Sequence, residues 1–213
     1  SLYGTMGDKE KMISEYLDLL VYNEAYKQTI QNALNRSINF EEDEEGVDLL
    51  RTELLRRVQK NPDSIIYAEM LIWLFLQDKE FNSAYIQLKA LDKRLGEDGQ
   101  RLLQLAGLCT NNQEFGVAEK CYQYIAEKGK SNPYYKYART GVLKSRFQKL
   151  SIEFPPDTVA LTNLRIEYTS TLEELGVNSE TIGLMRQKAL LEAYYLGDLE
   201  AANITLNQAL EAN

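Results

Sequence analysis

Apolar residues recur at steps of three and four along most of this chain, with Lys, Arg, Asp and Glu filling the positions between them. That spacing puts the apolar side chains on one face of a 3.6-residue helix, whereas a half-buried strand would alternate every second residue. No convincing strand pattern is present. Helices are predicted near 8–21, 23–37, 46–60, 63–77, 79–95, 97–110, 112–129, 132–149, 156–175, 179–196 and 198–212. Gly96, Gly129, Gly176 and Gly197 fall at or just past these ends, where a left-handed residue closes a last turn. Asp63, Ser131 or Asn132, Ser179 and Asp198 stand where the first N–H groups of a helix need an acceptor. Two linkers interrupt the pattern. Asn39 to Gly46 is strongly acidic, and Ser151 to Pro156 carries two prolines that forbid helix continuation, so a bend is expected at 151–156.

Within the helical pattern, Asp78-Lys79-Glu80-Phe81-x-x-Ala84 is echoed 34 residues later by Asn112-Gln113-Glu114-Phe115-x-x-Ala118. A fixed period of this length marks units that cannot bury their apolar faces alone and therefore stack on one another. A polar turn leads into an aromatic, a small residue follows three positions on, and a bulky one four further: Phe81/Ala84/Leu88 and Phe115/Ala118/Tyr122. A third copy reads Gly197-Asp198-Leu199-x-x-Ala202-x-x-x-Leu206-x-x-Ala209-Leu210. Small residues are needed where two helices approach to about 8–10 Å.

On these residues the chain resembles the tetratricopeptide repeat family, in degenerate form, with the clearest repeats at 65–96, 99–130 and 183–213. It departs from the family where a first-helix glycine is expected, having Ile72, Ala106 and Leu190, and Pro133 only loosely matches the proline after a second helix. The resemblance implies an all-α fold, a right-handed α-solenoid of stacked antiparallel helix pairs, here expected to span 1–213 as a single domain. It also implies a concave groove, lined by the first helix of each pair, that holds peptides or protein segments. The family's groove positions fall on Ile66, Glu69, Trp73 and Gln77 in one copy and on Gln100, Leu103, Gly107 and Asn111 in the next. These lack the Lys/Arg/Asn set with which some members clamp a terminal carboxylate.

Composition narrows the chemistry. The 213 residues are 44% apolar with a mean hydropathy of −0.40, enough for a sizeable core. No run of about 18 apolar residues exists, which excludes a spanning helix, and no signal peptide is found. A chain that starts at Ser1 without an initiating Met reads as an excised piece of something longer, so a cytoplasmic and an exported soluble protein are both compatible with it. Histidine is absent, which removes the commonest general base and metal ligand together. Cys109 and Cys121 lack metal or dithiol spacing and are expected to be buried helix residues, a disulfide across one hairpin being the alternative. Gly96-Glu97-Asp98-Gly99 is too acidic to cradle a phosphate. The run Glu41 to Glu45 fits a solvated linker and not a calcium loop. No catalytic residue, metal or cofactor is expected.

Candidate partner contacts are of two kinds. Glu69, Trp73 and Gln77 belong to the groove, although Trp73 inside Leu71-Ile72-Trp73-Leu74-Phe75 also reads as a core residue. The other kind is electrostatic: Lys128 to Ile152 holds no acid and seven cations, among them Lys136, Arg139, Lys144 and Arg146, in a chain of net charge −8. Tyr134, Tyr135 and Tyr137 stand beside them. Basic and aromatic interleaving also serves single-stranded nucleic acid, but a pI near 4.8 repels a polyanion, so no nucleic acid is expected. An acidic protein segment fits, as does an internal role in which these cations meet acids of neighbouring helices. The expected function is a non-catalytic protein-interaction scaffold that is part of a larger protein. The alternatives are a structural or oligomerisation segment and a carboxylate-dependent hydrolase.

Overall fold

The computed structural model describes residues 8–211. Ser1 to Gly7, and Ala212 and Asn213 at the end of the expected 183–213 repeat, lie outside the described residues. Those described form eleven α-helices and no strand. They are α1 (Lys9–Tyr22), α2 (Lys27–Ser37), α3 (Glu44–Lys60), α4 (Ile65–Gln77), α5 (Phe81–Leu95), α6 (Gln100–Asn111), α7 (Phe115–Glu127), α8 (Tyr135–Ser151), α9 (Thr158–Leu175), α10 (Ile182–Leu190) and α11 (Leu199–Glu211). A 3₁₀ turn, Glu24–Tyr26, precedes α2, and a π-helical segment, Leu191–Tyr195, continues α10. Each predicted helix is present. The acidic linker is shorter than expected, because Asp43 caps α3 by accepting from the Gly46 amide at 3.1 Å and from Lys9 Nζ at 2.7 Å.

The helices gather into two compact units, one ending at Leu95 and one beginning at Gly96. In the first, α1 packs on α2 and α3, α3 on α4, and α4 on α5. Leu17, Leu20, Leu34, Leu50, Leu54, Met70, Leu71 and Leu74 are fully buried there. Burial of each such side chain is worth about 1.5–3 kcal/mol. Arg57 lies among them, 7% exposed, and is held by Glu53 and Asp18 at 2.7 Å each and by the Tyr67 hydroxyl at 3.0 Å. In the second unit α6 packs on α7, α7 on α8, α8 on α9 and α10, α9 on α10, and α10 on α11. Its core joins Leu143, Leu161, Leu164, Tyr168, Met185 and Leu191. The proline-bearing segment after Ser151 connects α8 to α9 inside this unit, and Asp157 caps α9 through the Ala160 amide at 2.9 Å.

The echo in sequence is an echo in backbone. Among the described residues, Lys79 and Gln113 are the non-glycine positions with positive φ, at 56° and 62°. In each turn the next amide reaches back five residues, Glu80 to the Phe75 carbonyl and Glu114 to the Cys109 carbonyl, both at 2.8 Å. Gly197, φ 68°, takes the same place before α11, a position that favours glycine because a Cβ is strained there. Here the following amide, of Asp198, reaches the Glu192 carbonyl six residues back at 2.8 Å, because the π-helical turn inserts one extra residue. Ala84, Ala118 and Ala202 are all buried, as the close-approach position requires.

Candidate functional site

The basic helix α8 is tied to its neighbours by most of its cations. Arg146 donates from Nε and Nη2 to Glu119 Oε1 of α7, at 2.9 and 2.6 Å, and from Nη1 to Glu167 of α9. Arg139 donates to Thr171 Oγ1 at 3.1 Å and lies 3.4 Å from Glu174. Glu174 also receives Lys130 at 2.9 Å and the Tyr135 hydroxyl at 2.6 Å. Those bonds, Tyr135 first and then Lys130, hold the Glu174 carboxyl below the usual range. Lys136 lies 3.8 Å from Glu180 and both are exposed. The positive surface is therefore smaller than the charge count suggests. Lys144 and Lys149 are exposed and make no ion pair among the described residues, and of these two Lys144 faces a cleft.

That cleft, of about 430 Å³, lies wholly within the second unit. From α6 come Gly107, Thr110 and Asn111, and from α10 come Gly183, Leu184 and Gln187, with Glu180 just before that helix. Along α8 the lining residues Tyr137, Thr140, Gly141 and Lys144 recur at helical spacing on one face. Tyr122 of α7 and Ser145 complete the floor. The Tyr122 and Tyr137 rings lie 6.0 Å apart. Burial first, then Tyr137 beside it, raises the Tyr122 pKa well above that of an ordinary phenol, so it stays a protonated donor. Gln187 accepts from the Tyr168 hydroxyl at 3.3 Å through its side-chain oxygen, which turns its NH₂ into a fixed donor.

Some of these positions repeat: Gly107 and Gly141 are 34 residues apart, as are Asn111 and Ser145. Gly183 and Gln187 stand outside that register, in which Leu190 answers Ala106, and reach the same cleft from the first turns of α10. Glycine inside a helix costs about 1 kcal/mol against alanine, so Gly107 and Gly141, both in mid-helix, call for a cause, whereas Gly183 sits in the first turn of α10. At Gly141 the cause is internal, since a Cβ would lie 2.6 Å from the Tyr122 ring. At Gly107 and Gly183 a Cβ would meet nothing within 4 Å, so packing of the chain on itself does not explain them. Of the groove positions marked in sequence, Gly107 and Asn111 line this cleft. The α10 residues were missed, because they stand outside the 34-residue register. Three in-helix glycines were the signal that could have found them.

In the first unit the equivalent surface is filled. Trp73, 34 residues before Gly107, is half-buried and meets Phe40 edge-on at 5.7 Å. Glu69 is paired with Lys27 at 2.5 Å, and Gln77 is exposed. A separate depression of about 480 Å³ between α1 and α3 carries Glu10, Glu44, Glu45, Asp48 and Glu53. Glu53 is held below the usual carboxylate range by Arg56 and, after the opposing effect of burial, by Arg57, which is the reverse of what a general acid requires. Cys109 and Cys121 are free and buried. Burial pushes the Cys109 thiol up to about 12 and that of Cys121 further, so neither is a thiolate at neutral pH.

No protein-family model matches the chain in sequence, and no curated protein does. Among the described residues no group of side chains fit to hold a metal is found, and no helix is long and apolar enough to cross a membrane.

Proposed function

We propose that this chain is a tetratricopeptide-like protein-interaction scaffold, a right-handed stack of antiparallel helix pairs whose second unit docks a segment of a protein partner in the cleft between α6, α8 and α10. The observation that carries this reading is the pair Gly107, in the middle of α6, and Gly183, in the first turn of α10, two glycines on one cleft with open space where their side chains would be. An occupant whose main chain comes close to these helices gives that space a purpose. Asn111 and Gln187, the latter with its donor fixed by Tyr168, suit the carbonyl groups of an extended backbone. Packing of helices chiefly on their sequence neighbours, and the repeated turn at Lys79 and Gln113, support the repeat architecture.

The reading is non-catalytic. Glu180 is the single carboxylate lining this cleft, whereas hydrolysis by carboxylates needs two, roughly 5–9.5 Å apart. The test is a random peptide display library selected on the immobilised chain. Peptides should be enriched that bind the parent and lose at least tenfold in affinity on Gly183→Trp, which fills the cleft from an exposed position. Lack of enrichment over bare matrix, or enriched peptides indifferent to Gly183→Trp, would overturn the proposal.

A second reading, a structural or oligomerisation role, is favoured by α11. Leu199, Leu206 and Leu210 form one outward stripe on it, 71%, 44% and 73% exposed, beside the buried face of Ala202, Thr205 and Ala209. Sedimentation over a range of concentrations checks it: a mass that rises for the parent and stays monomeric for Leu206→Glu supports self-association, and a constant mass removes it.

A further inference from the structure

We infer that the segment docked in the second-unit cleft is acidic and places an aspartate or glutamate side chain on Lys144. The inference rests on the docking proposal above and names the chemistry of the partner.

Three observations lead to it. Lys130, Lys136, Arg139 and Arg146 each have a carboxylate within 4 Å. Lys144 has none among the described residues, and it is an exposed ammonium on the cleft wall. The groups around it are neutral and not competing acids: Thr110, Tyr137 and Ser145 line the same surface, and Glu180, the one carboxylate there, lies beside Lys136. The second unit thus offers one uncompensated positive charge on the wall of a concave cleft, on a chain whose net charge is −8.

The size of that charge selects the ligand. A nucleic acid brings a ladder of phosphates and needs several cations along its track. One lysine flanked by hydroxyls matches one carboxylate, and the surrounding negative field rejects the rest of a polyanion. A basic segment would leave Lys144 facing a like charge. An apolar helix would find one aliphatic side chain, Leu184, among the lining residues, and would leave the amides and hydroxyls unpaired.

The test uses one fluorescein-labelled peptide from the display selection described above, with its acidic residues replaced in turn by Asn or Gln. Anisotropy is measured with the parent chain, Lys144→Met, Lys144→Glu and Lys149→Glu, the last being exposed and away from the cleft. Expected is a three- to tenfold loss, of the size of a partly exposed charge-assisted contact, for Lys144→Met and for one peptide position, with no further loss when the two are combined. Lys149→Glu should leave affinity within twofold, and affinity should fall as salt is raised. Enriched peptides without an acidic position, or affinity indifferent to Lys144→Glu, would overturn the acidic inference and leave the docking proposal standing. Equal losses for Lys149→Glu and Lys144→Glu would reduce the effect to long-range charge and overturn the contact. Failure to enrich any peptide defeats the docking proposal itself, and with it this inference. Tighter binding of a labelled oligonucleotide than of any peptide would also overturn it.

Discussion

Gly107 and Gly183 can be strengthened as helix and weakened as binding surface by the same change. Replacing each by Ala adds a methyl that meets nothing within 4 Å, so the only folding effect is the helix preference of alanine over glycine. That preference is about 0.8–1.0 kcal/mol at Gly107, in mid-helix, and smaller at Gly183, the second residue of α10. Together they give about 1–2 kcal/mol, and with about 2–4 °C per kcal/mol for a chain of this length, the double variant should melt about 2–8 °C higher. Gly141 is the internal control. A methyl there would sit 2.6 Å from the buried Tyr122 ring, and overpacking of about 1–3 kcal/mol should offset or outweigh the helix gain. Thermal melts followed by far-ultraviolet circular dichroism separate the three sites. The same Gly107→Ala, Gly183→Ala protein should bind a selected peptide more weakly, because two methyls now stand where its main chain must pass. A lower melting temperature for the double variant would show that these glycines are needed by the fold, and the reasoning would fail. A higher melting temperature with unchanged affinity would show that nothing approaches them.

Other consequences are open to measurement. Ala118 is fully buried at the repeat contact, so Ala118→Leu should cost about 1–3 kcal/mol and lower the melting temperature; an unchanged melt would mean that the repeat register is wrong. Arg146→Glu sets a third carboxylate beside Glu119 and Glu167 and should destabilise the chain by about 1–3 kcal/mol, while Lys144→Glu should melt with the parent, and equal effects would refute the division of α8 into structural and free charges. Because the Glu174 pKa is lowered on folding, its contribution is complete above the unfolded carboxylate pKa and is lost as pH falls through the lower folded value. Urea unfolding from neutral to acid pH should therefore show a shallower acid loss for Glu174→Gln than for the parent, and parallel curves would contradict the assignment.

The eleven helices were legible in sequence because long amphipathic segments have one physical solution in water, a buried stripe, and because glycines mark their ends. The turns were half legible. Their polar residues gave the 34-residue period, yet Lys79 and Gln113 carry nothing that announces a left-handed backbone. The π-helical turn at Leu191–Tyr195 was hidden because one inserted residue leaves the local apolar pattern continuous. For the site, the repeat marked Gly107 and Asn111, which line the cleft, while Gly183 and Gln187 stand outside its 34-residue register and were not marked. The cations were the hardest to read. Arg139, Lys144 and Arg146 look alike along α8, and what separates them is the acid that a neighbouring helix brings: Glu174, none, and Glu119 with Glu167. Such pairing depends on packing across more than 20 residues of chain, which no local pattern encodes.

Where a partner segment sits is tested most directly by titration of the ¹⁵N-labelled chain with a selected peptide, followed amide by amide. Glycine amides are well separated in such spectra, so Gly107, Gly141 and Gly183 report on the floor of the cleft, and the side-chain NH₂ groups of Asn111 and Gln187 report on its rim. The largest shifts should fall on these groups and on Lys144, with those of α9 and of the first unit small. Shifts concentrated on Glu69, Trp73 and Gln77, or on the outward stripe of α11, with the three cleft glycines unmoved, would contradict that placement.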